Sequence, residues 1–88
     1  MKRIALFRTK IDEVDDEILI LLKKRIQLVE KIGRIKLEKS LPIVDDVRYK
    51  KILLRIEEKA DSLGLSKNMV GEIWELIHKE SVKIEKNI

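Results

Sequence analysis

Three cationic side chains lie on or beside a helix face that should be buried, and they are the first candidates for a binding site. Arg25 interrupts an apolar stripe of helical spacing, while Arg8 and Lys36 belong to a heptad-spaced row beside that stripe. A buried cation requires a partner, and the planar guanidinium of arginine pairs with a carboxylate through two parallel hydrogen bonds. Three such groups on one face predict a binding site for a small anion. The structural alternative is that the cations form ion pairs with Asp12, Asp15 or Glu30, within one chain or between two.

The spacing of these cations decides which of them can share one ligand. Arg25 and Lys36 are 11 residues apart, about 16 Å along a helix, so two long side chains can converge on one small dianion. Arg8 precedes Arg25 by 17 residues, about 25 Å, and cannot join them from the same chain. We therefore expect Arg8 to come from the antiparallel helix of a partner chain, which gives two sites per dimer.

Polar residues also interrupt the apolar faces of two later segments. Arg48 and Tyr49 are spaced to point inward at the start of a second helix, where free backbone N–H groups can meet an anion or a hydroxyl. In the last segment, Ser81 occupies an apolar position and Glu85 follows one turn later on the same side. Each alone has an ordinary explanation, Ser81 as a small packing residue and Glu85 as a solvated carboxylate. The neighbouring His78 is expected at the surface.

Helices must position these residues, because little in the chain interrupts a helical pattern. Residues 4–37 contain no Pro and one Gly, and their apolar residues recur in steps of three and four. This pattern predicts one long amphipathic helix. Residues 38–46, which include Pro42, are predicted to form a loop.

Capping residues set the limits of two shorter helices. Asp45 or Asp46 is expected to cap a second helix that ends near residue 63, and Gly64 is placed to stop it. Ser66 is expected to cap a third helix over residues 67–86. The single tryptophan of the chain lies on the inner face of this third helix and is expected in the core. The fold class predicted is therefore all-α, with one domain over residues 1–88.

The length of the first helix indicates a dimer. A helix of 34 residues is about 50 Å long, whereas a compact chain of 88 residues is roughly 30 Å across. The first helix must extend beyond what the other two can cover, yet its apolar stripe continues along its whole length. A second copy of the chain is the simplest way to bury that stripe. We expect an intertwined homodimer of six helices.

Composition excludes several kinds of chemistry. The chain has no Cys and one His, which leaves no disulfide scaffold and no Cys/His zinc site. Its three Gly do not form a phosphate-binding loop. No signal sequence and no membrane-spanning apolar run is visible, so a cytoplasmic protein without membrane contact is expected. The net charge of +4 suggests an anionic partner.

Five short motifs occur in a recognisable order along the chain. They are F-R-x-K-I-D-E-V-D (Phe7 to Asp15), L-x-x-R-x-x-L around Arg25, G-R-I-K (Gly33 to Lys36), P-I-V-D-D-V-R (Pro42 to Arg48) and H-K-E-S-V (His78 to Val82). In this order and spacing the chain resembles, over essentially its whole length, the all-helical class of chorismate mutases. The resemblance implies an isomerase of aromatic amino-acid biosynthesis that needs no cofactor and no metal. Its substrate would be chorismate, a dicarboxylate that undergoes a Claisen rearrangement to prephenate.

The resemblance also implies a role for each cation. The partner chain's Arg8 and this chain's Arg25 would bind the two carboxylates of the substrate, and Arg48 would support the carboxylate end. Lys36 would donate a hydrogen bond to the ether oxygen and to a carboxylate. Catalysis would then rest on selecting a compact substrate conformer and on stabilising charge that develops on the ether oxygen.

Four further positions receive roles from the same resemblance, and two of them depart from its usual pattern. Asp45 would meet the ring hydroxyl through its backbone, and Ser81 would contact a carboxylate. Tyr49 stands where family members often have a Glu that binds the ring hydroxyl. Glu85 stands where many have a Gln that donates to the ether oxygen, and a carboxyl group donates only when protonated. Turnover is therefore expected to fall as Glu85 loses its proton with rising pH, and Glu85→Gln to flatten the profile.

Three alternatives remain open at the level of sequence. An isochorismate pyruvate lyase of the same fold would use the same cations and also lacks the hydroxyl-binding Glu. A non-catalytic helical dimer that binds nucleic acid is compatible with the net charge, but the basic residues alternate with acidic ones as on an ordinary solvated surface. In a plain coiled coil, Arg25 would only fix the register of the helices.

Overall fold

The chain folds into three α-helices without any strand, which confirms the predicted all-α class. A computed structural model describes residues 1–88. The helices are α1 (Lys2–Glu38), α2 (Asp46–Ser62) and α3 (Lys67–Lys86). Helix α1 is a few residues longer than the predicted span of 4–37, because helical pattern and propensity set its ends only to within a turn. None of the three helices carries a stretch apolar and long enough to cross a membrane.

The predicted capping residues form the ends of α2 and α3. The carboxylate of Asp45 accepts a hydrogen bond of 3.0 Å from the backbone N–H of Arg48, so Asp45 rather than Asp46 is the N-cap of α2. The hydroxyl of Ser66 accepts a hydrogen bond of 3.2 Å from the N–H of Met69 and caps α3. Gly64 has a φ of 71°, the left-handed conformation that ends a helix at low steric cost in glycine.

Helix α3 is the element that joins the fold. It packs against α1 and against α2, whereas α1 and α2 do not pack against each other. The small core lies between α2 and α3 and consists of Ile56, Ala60 and Val70. Ile52 and Trp74 pack against it, which confirms the expected place of the tryptophan. Any side chain of α1 that acts together with one of α2 must therefore meet it around α3.

Much of α1 has no cover from its own chain. The fold extends 57 Å along its longest axis and has a radius of gyration of 16.5 Å, against about 12 Å for a compact chain of this length. Every residue before Leu22 is exposed. This includes the apolar stripe, hereafter the N-terminal seam, formed by Ile4, Phe7, Ile11, Val14, Ile18 and Leu21. Only 4 of 88 residues are buried, so one chain alone contains little of a hydrophobic core.

Candidate active site

Arg25 is held by a serine of α3. Its guanidinium donates a hydrogen bond of 2.9 Å to the hydroxyl of Ser81. That hydroxyl in turn donates to the carbonyl of Ile77 at 2.8 Å, one turn earlier in α3. Because the serine proton is committed to the carbonyl, its oxygen is left to accept from arginine. Ser81 is therefore more than a small packing residue, since it orients the cation that interrupts the stripe of α1.

Lys36 forms the second polar contact between α1 and α3. Its ammonium lies 3.0 Å from a carboxylate oxygen of Glu85, and the Glu85 side chain is only 8% exposed. The ammonium also donates a hydrogen bond of 2.7 Å to the carbonyl of Ile43 in the loop after α1. Glu85 is thus a buried ion-pair partner and not the solvated carboxylate that the end of a helix would ordinarily carry.

Arg48 adds a second guanidinium near Arg25. Burial first, and then the positive charge of Arg48, hold the pKa of Arg25 below its usual range. Neither arginine has a carboxylate within 4.0 Å, because the ion pairs of the fold involve other residues. Ion pairing within the chain therefore does not account for Arg25, whereas it does occur at Lys36, which pairs with Glu85. Two close cations without a carboxylate form a site that favours an anion.

The first turn of α2 positions Asp45 and Tyr49. The carboxylate of Asp45 is used by the helix cap, and its carbonyl accepts a hydrogen bond of 3.0 Å from the N–H of Tyr49. The Tyr49 ring stacks on His78 of α3, with ring centroids 3.7 Å apart and planes inclined by 10°. The expectation that His78 lies at the surface is wrong, because its ring is half-buried against tyrosine. The sequence did contain a signal for this burial, because His78 lies three residues before Ser81 and therefore on the same face of α3.

Arg8 is not brought to this cluster within one chain. It lies in the exposed first half of α1 and has no carboxylate within 4.0 Å. The sequence spacing excludes its joining Arg25 from the same helix, and the continuous α1 agrees with that exclusion. Its arrival from a partner chain stays a prediction.

Two separate cavities adjoin the polar contacts between α1 and α3. Arg25 and Ser81 line one cavity of about 230 Å³, and Lys36 and Glu85 line another of about 230 Å³. These two cavities are separate, and neither is lined by both pairs. No cluster of His, Asp or Glu has the arrangement of a metal site. What the cluster can do chemically is to bind a small dianion and to donate hydrogen bonds from fixed cations.

The three helices define a small all-α protein, and the cations held against α3 can bind an anion. Comparison with known families is more specific. The sequence profile described as chorismate mutase type II matches residues 7–86. The chain belongs to this family, whose named activity is that of an isomerase. The match includes every site residue predicted from the sequence.

Individual relatives agree with the family. Over 86 residues the chain is 29% identical to a chorismate mutase of Methanocaldococcus jannaschii, covering 98% of this chain and 87% of that protein. It is 32% identical over 78 residues to a T-protein of Enterobacter agglomerans, covering 89% of this chain and 21% of that protein. It is 32% identical over 85 residues to a bifunctional chorismate mutase/prephenate dehydratase of Buchnera aphidicola, covering 97% and 22%. The chain thus spans about a fifth of the length of these last two relatives.

Proposed function

We propose that this chain catalyses the Claisen rearrangement of chorismate to prephenate. The observation that carries the proposal is the pairing of Arg25 with Ser81 and of Lys36 with Glu85 along one side of α3. In the reaction the ether C–O bond breaks and a new C–C bond forms within one molecule, and no proton is transferred. The protein has only to hold the compact conformer of the dianion and to stabilise negative charge on the departing ether oxygen.

Each residue then has a defined task. Arg25, oriented by Ser81, binds one carboxylate, and Arg48 supports the same end of the substrate. Lys36 is held by two acceptors and keeps one further N–H for the ether oxygen, since an ammonium has three donors. The backbone N–H of Asp45 is the group that can meet the ring hydroxyl, because its carbonyl and carboxylate already accept hydrogen bonds.

The active unit of this proposal is a homodimer. The N-terminal seam is exposed in one chain, and the two polar pairs line separate cavities, so a partner helix across α1 would cover both. An antiparallel partner brings its own Arg8 toward the Arg25 of this chain. Each site would then contain residues of both copies.

Mixing two inactive variants tests this arrangement. Arg8→Ala and Arg25→Ala are each expected to be nearly inactive alone. In a mixed dimer, one site would contain both mutations and the other neither, so random exchange restores about a quarter of the wild-type activity. The assay is prephenate formation after the two proteins are unfolded and refolded together. Activity that stays at the level of the separate variants would exclude a site shared between chains.

Glu85 gives the proposal a test by substitution. The carboxylate of Glu85 lies 3.0 Å from the ammonium of Lys36, and a carboxylate accepts hydrogen bonds but cannot donate one to an ether oxygen. The amide of Glu85→Gln is a donor at every pH, so this variant is expected to have a flatter pH profile of kcat than the wild type. The measurement is kcat of both proteins between about pH 4.5 and 8. Identical profiles would show that residue 85 does not donate to the substrate.

The residue type at position 49 is the observation that favours testing a second activity. It replaces the Glu that family members often use to hold the ring hydroxyl, and isochorismate carries its hydroxyl elsewhere on the ring. The second candidate is therefore an isochorismate pyruvate lyase that uses the same cations. Parallel assays with chorismate and isochorismate distinguish the two, with prephenate expected from the first and little pyruvate from the second.

A further inference from the structure

One side of α3 carries three polar residues in a row. They are separated by three and four positions, the spacing of neighbours on a helix surface, so successive members lie about 5 Å apart along the axis. Each meets one residue of another helix. The α3 polar row consists of His78, Ser81 and Glu85, and their partners are Tyr49, Arg25 and Lys36 respectively. The proposed reaction uses the last two pairs and assigns nothing to His78.

The contact between His78 and Tyr49 is close and nearly parallel. The centroids are 3.7 Å apart and the planes differ by 10°, so the imidazole covers one face of the phenol. Neither ring belongs to the three buried residues that form the apolar core. The pair lies instead at the first turn of α2, directly after Arg48 and one turn of α3 before Ser81. Both rings are thus close in sequence to residues of the proposed anion site, Arg48 and Ser81.

We propose that His78 is a positioning residue for Tyr49. A tyrosine side chain is longer than a glutamate, and rotation about its first torsion, χ1, moves the hydroxyl through a wide arc. The imidazole packs on one face of the phenol and blocks movement of the ring toward that side. It thereby restricts the Tyr49 hydroxyl to positions from which it meets the ring hydroxyl of the substrate. Tyr49 and His78 then act as one hydroxyl-recognition unit. This inference rests on the proposed rearrangement.

Two substitutions at His78 distinguish the effect of a flat ring from the effect of side-chain volume alone. His78→Phe keeps a flat ring that can stack, and His78→Leu keeps apolar volume without a flat face. His78→Leu should raise KM about tenfold and leave kcat within about twofold, because a hydroxyl contact is made equally in ground state and transition state. His78→Phe should stay within about twofold of the wild type in both parameters. Equal KM values in the wild type and His78→Leu would overturn the proposal.

A double substitution tests whether His78 acts through Tyr49. Tyr49→Leu removes the hydroxyl, and His78→Leu added to it should then raise KM by less than about twofold. Two full, multiplying losses in the double variant would mean that His78 acts independently of Tyr49, and would overturn the proposal. Because a purely structural defect would lower the folded fraction, thermal melting of all variants serves as the control.

The composition of the chain allows the stack to be observed without any activity. His78 is its only histidine and Tyr49 its only tyrosine. The imidazole C–H resonances in a proton NMR spectrum should be shifted upfield by the phenol ring and should move downfield in Tyr49→Leu. Unchanged resonances would overturn the stack itself. A wild-type protein inactive on chorismate would overturn the proposed function, whereas an active wild type with an unaffected His78→Leu variant would overturn this inference alone.

Discussion

The two halves of α1 have the same sequence pattern and different surroundings. Before Leu22 the apolar residues recur in steps of three and four, and all of them are exposed. After Leu22 the pattern continues, but α3 packs against the helix and Gly33 is buried. Both halves carry cations beside the apolar stripe, Arg8 in the first and Arg25 with Lys36 in the second. Periodicity therefore predicts the same burial for both halves, whereas within one chain only the second half has a packing partner, α3.

The largest effect on activity is expected from a substitution in the second half of α1, at Arg25. Arg25→Ala should lower kcat/KM about a thousandfold, because it removes a fixed cation from the carboxylate site. The fold should persist, since the buried residues of the core belong to α2 and α3. Arg34→Ala is the matched control, an identical change nine residues later at an exposed position of α1. Near-wild-type prephenate formation by folded Arg25→Ala would show that the site is assigned to the wrong residues.

The second largest effect is expected from a substitution in the first half of α1, at Ile11. Ile11→Asp places a charge in the N-terminal seam and should weaken dimer formation by about 3 kcal/mol, because the carboxylate would be buried between chains. Sedimentation at micromolar concentration measures the loss of dimer, and activity should fall with it. Thr9→Asp is the control, since residue 9 belongs to the polar row opposite the seam, with Asp16, Lys23 and Glu30. Ile11→Asp with undiminished dimer content would show that the seam has another partner.

A smaller effect concerns the packing of the second half on α3. A Cβ at Gly33 would clash with the Ile88 side chain and approach Cγ of Glu85 to 3.1 Å. Gly33→Ala should therefore destabilise the fold by about 1–3 kcal/mol and displace Glu85 from Lys36, with a loss of activity. Gly71→Ala in α3 meets nothing within 4 Å and should stabilise the fold by about 0.5–1 kcal/mol. Equal melting temperatures for the two variants would contradict this account.

The smallest effect, on stability alone, is expected from a substitution in the first half of α1, at Thr9. The hydroxyl of Thr9 donates to the carbonyl of Ala5 at 3.1 Å, within the same helix. Thr9→Ala should raise stability by about 0.5 kcal/mol through helix propensity and leave dimer and activity unchanged. Thermal melting at fixed protein concentration measures it. A change in dimer content would place residue 9 at the interface between chains. The polar row of α1 would then not differ from the N-terminal seam in its contact with the partner.

Local signals explain what the sequence predicted well. Helix limits follow from caps such as Asp45 and Ser66, whose side chains bond to backbone only three residues away. Arg25 was selected as a candidate site residue because a cation interrupts the periodic apolar stripe of α1. The burial of Glu85 and the stack on His78 were not predicted, because both depend on how α3 approaches the other helices. That approach is set by the tertiary packing of side chains far apart in sequence.

The exposed seam of α1 also has a consequence for how the protein folds. If most apolar burial occurs between chains, as the proposed dimer requires, the chain gains much of its stability only when it meets a second copy. The final folding step then becomes bimolecular, and its rate rises with protein concentration. The melting temperature should rise with concentration as well. Abundance in the cell would thereby become a variable that sets the fraction of folded, active protein.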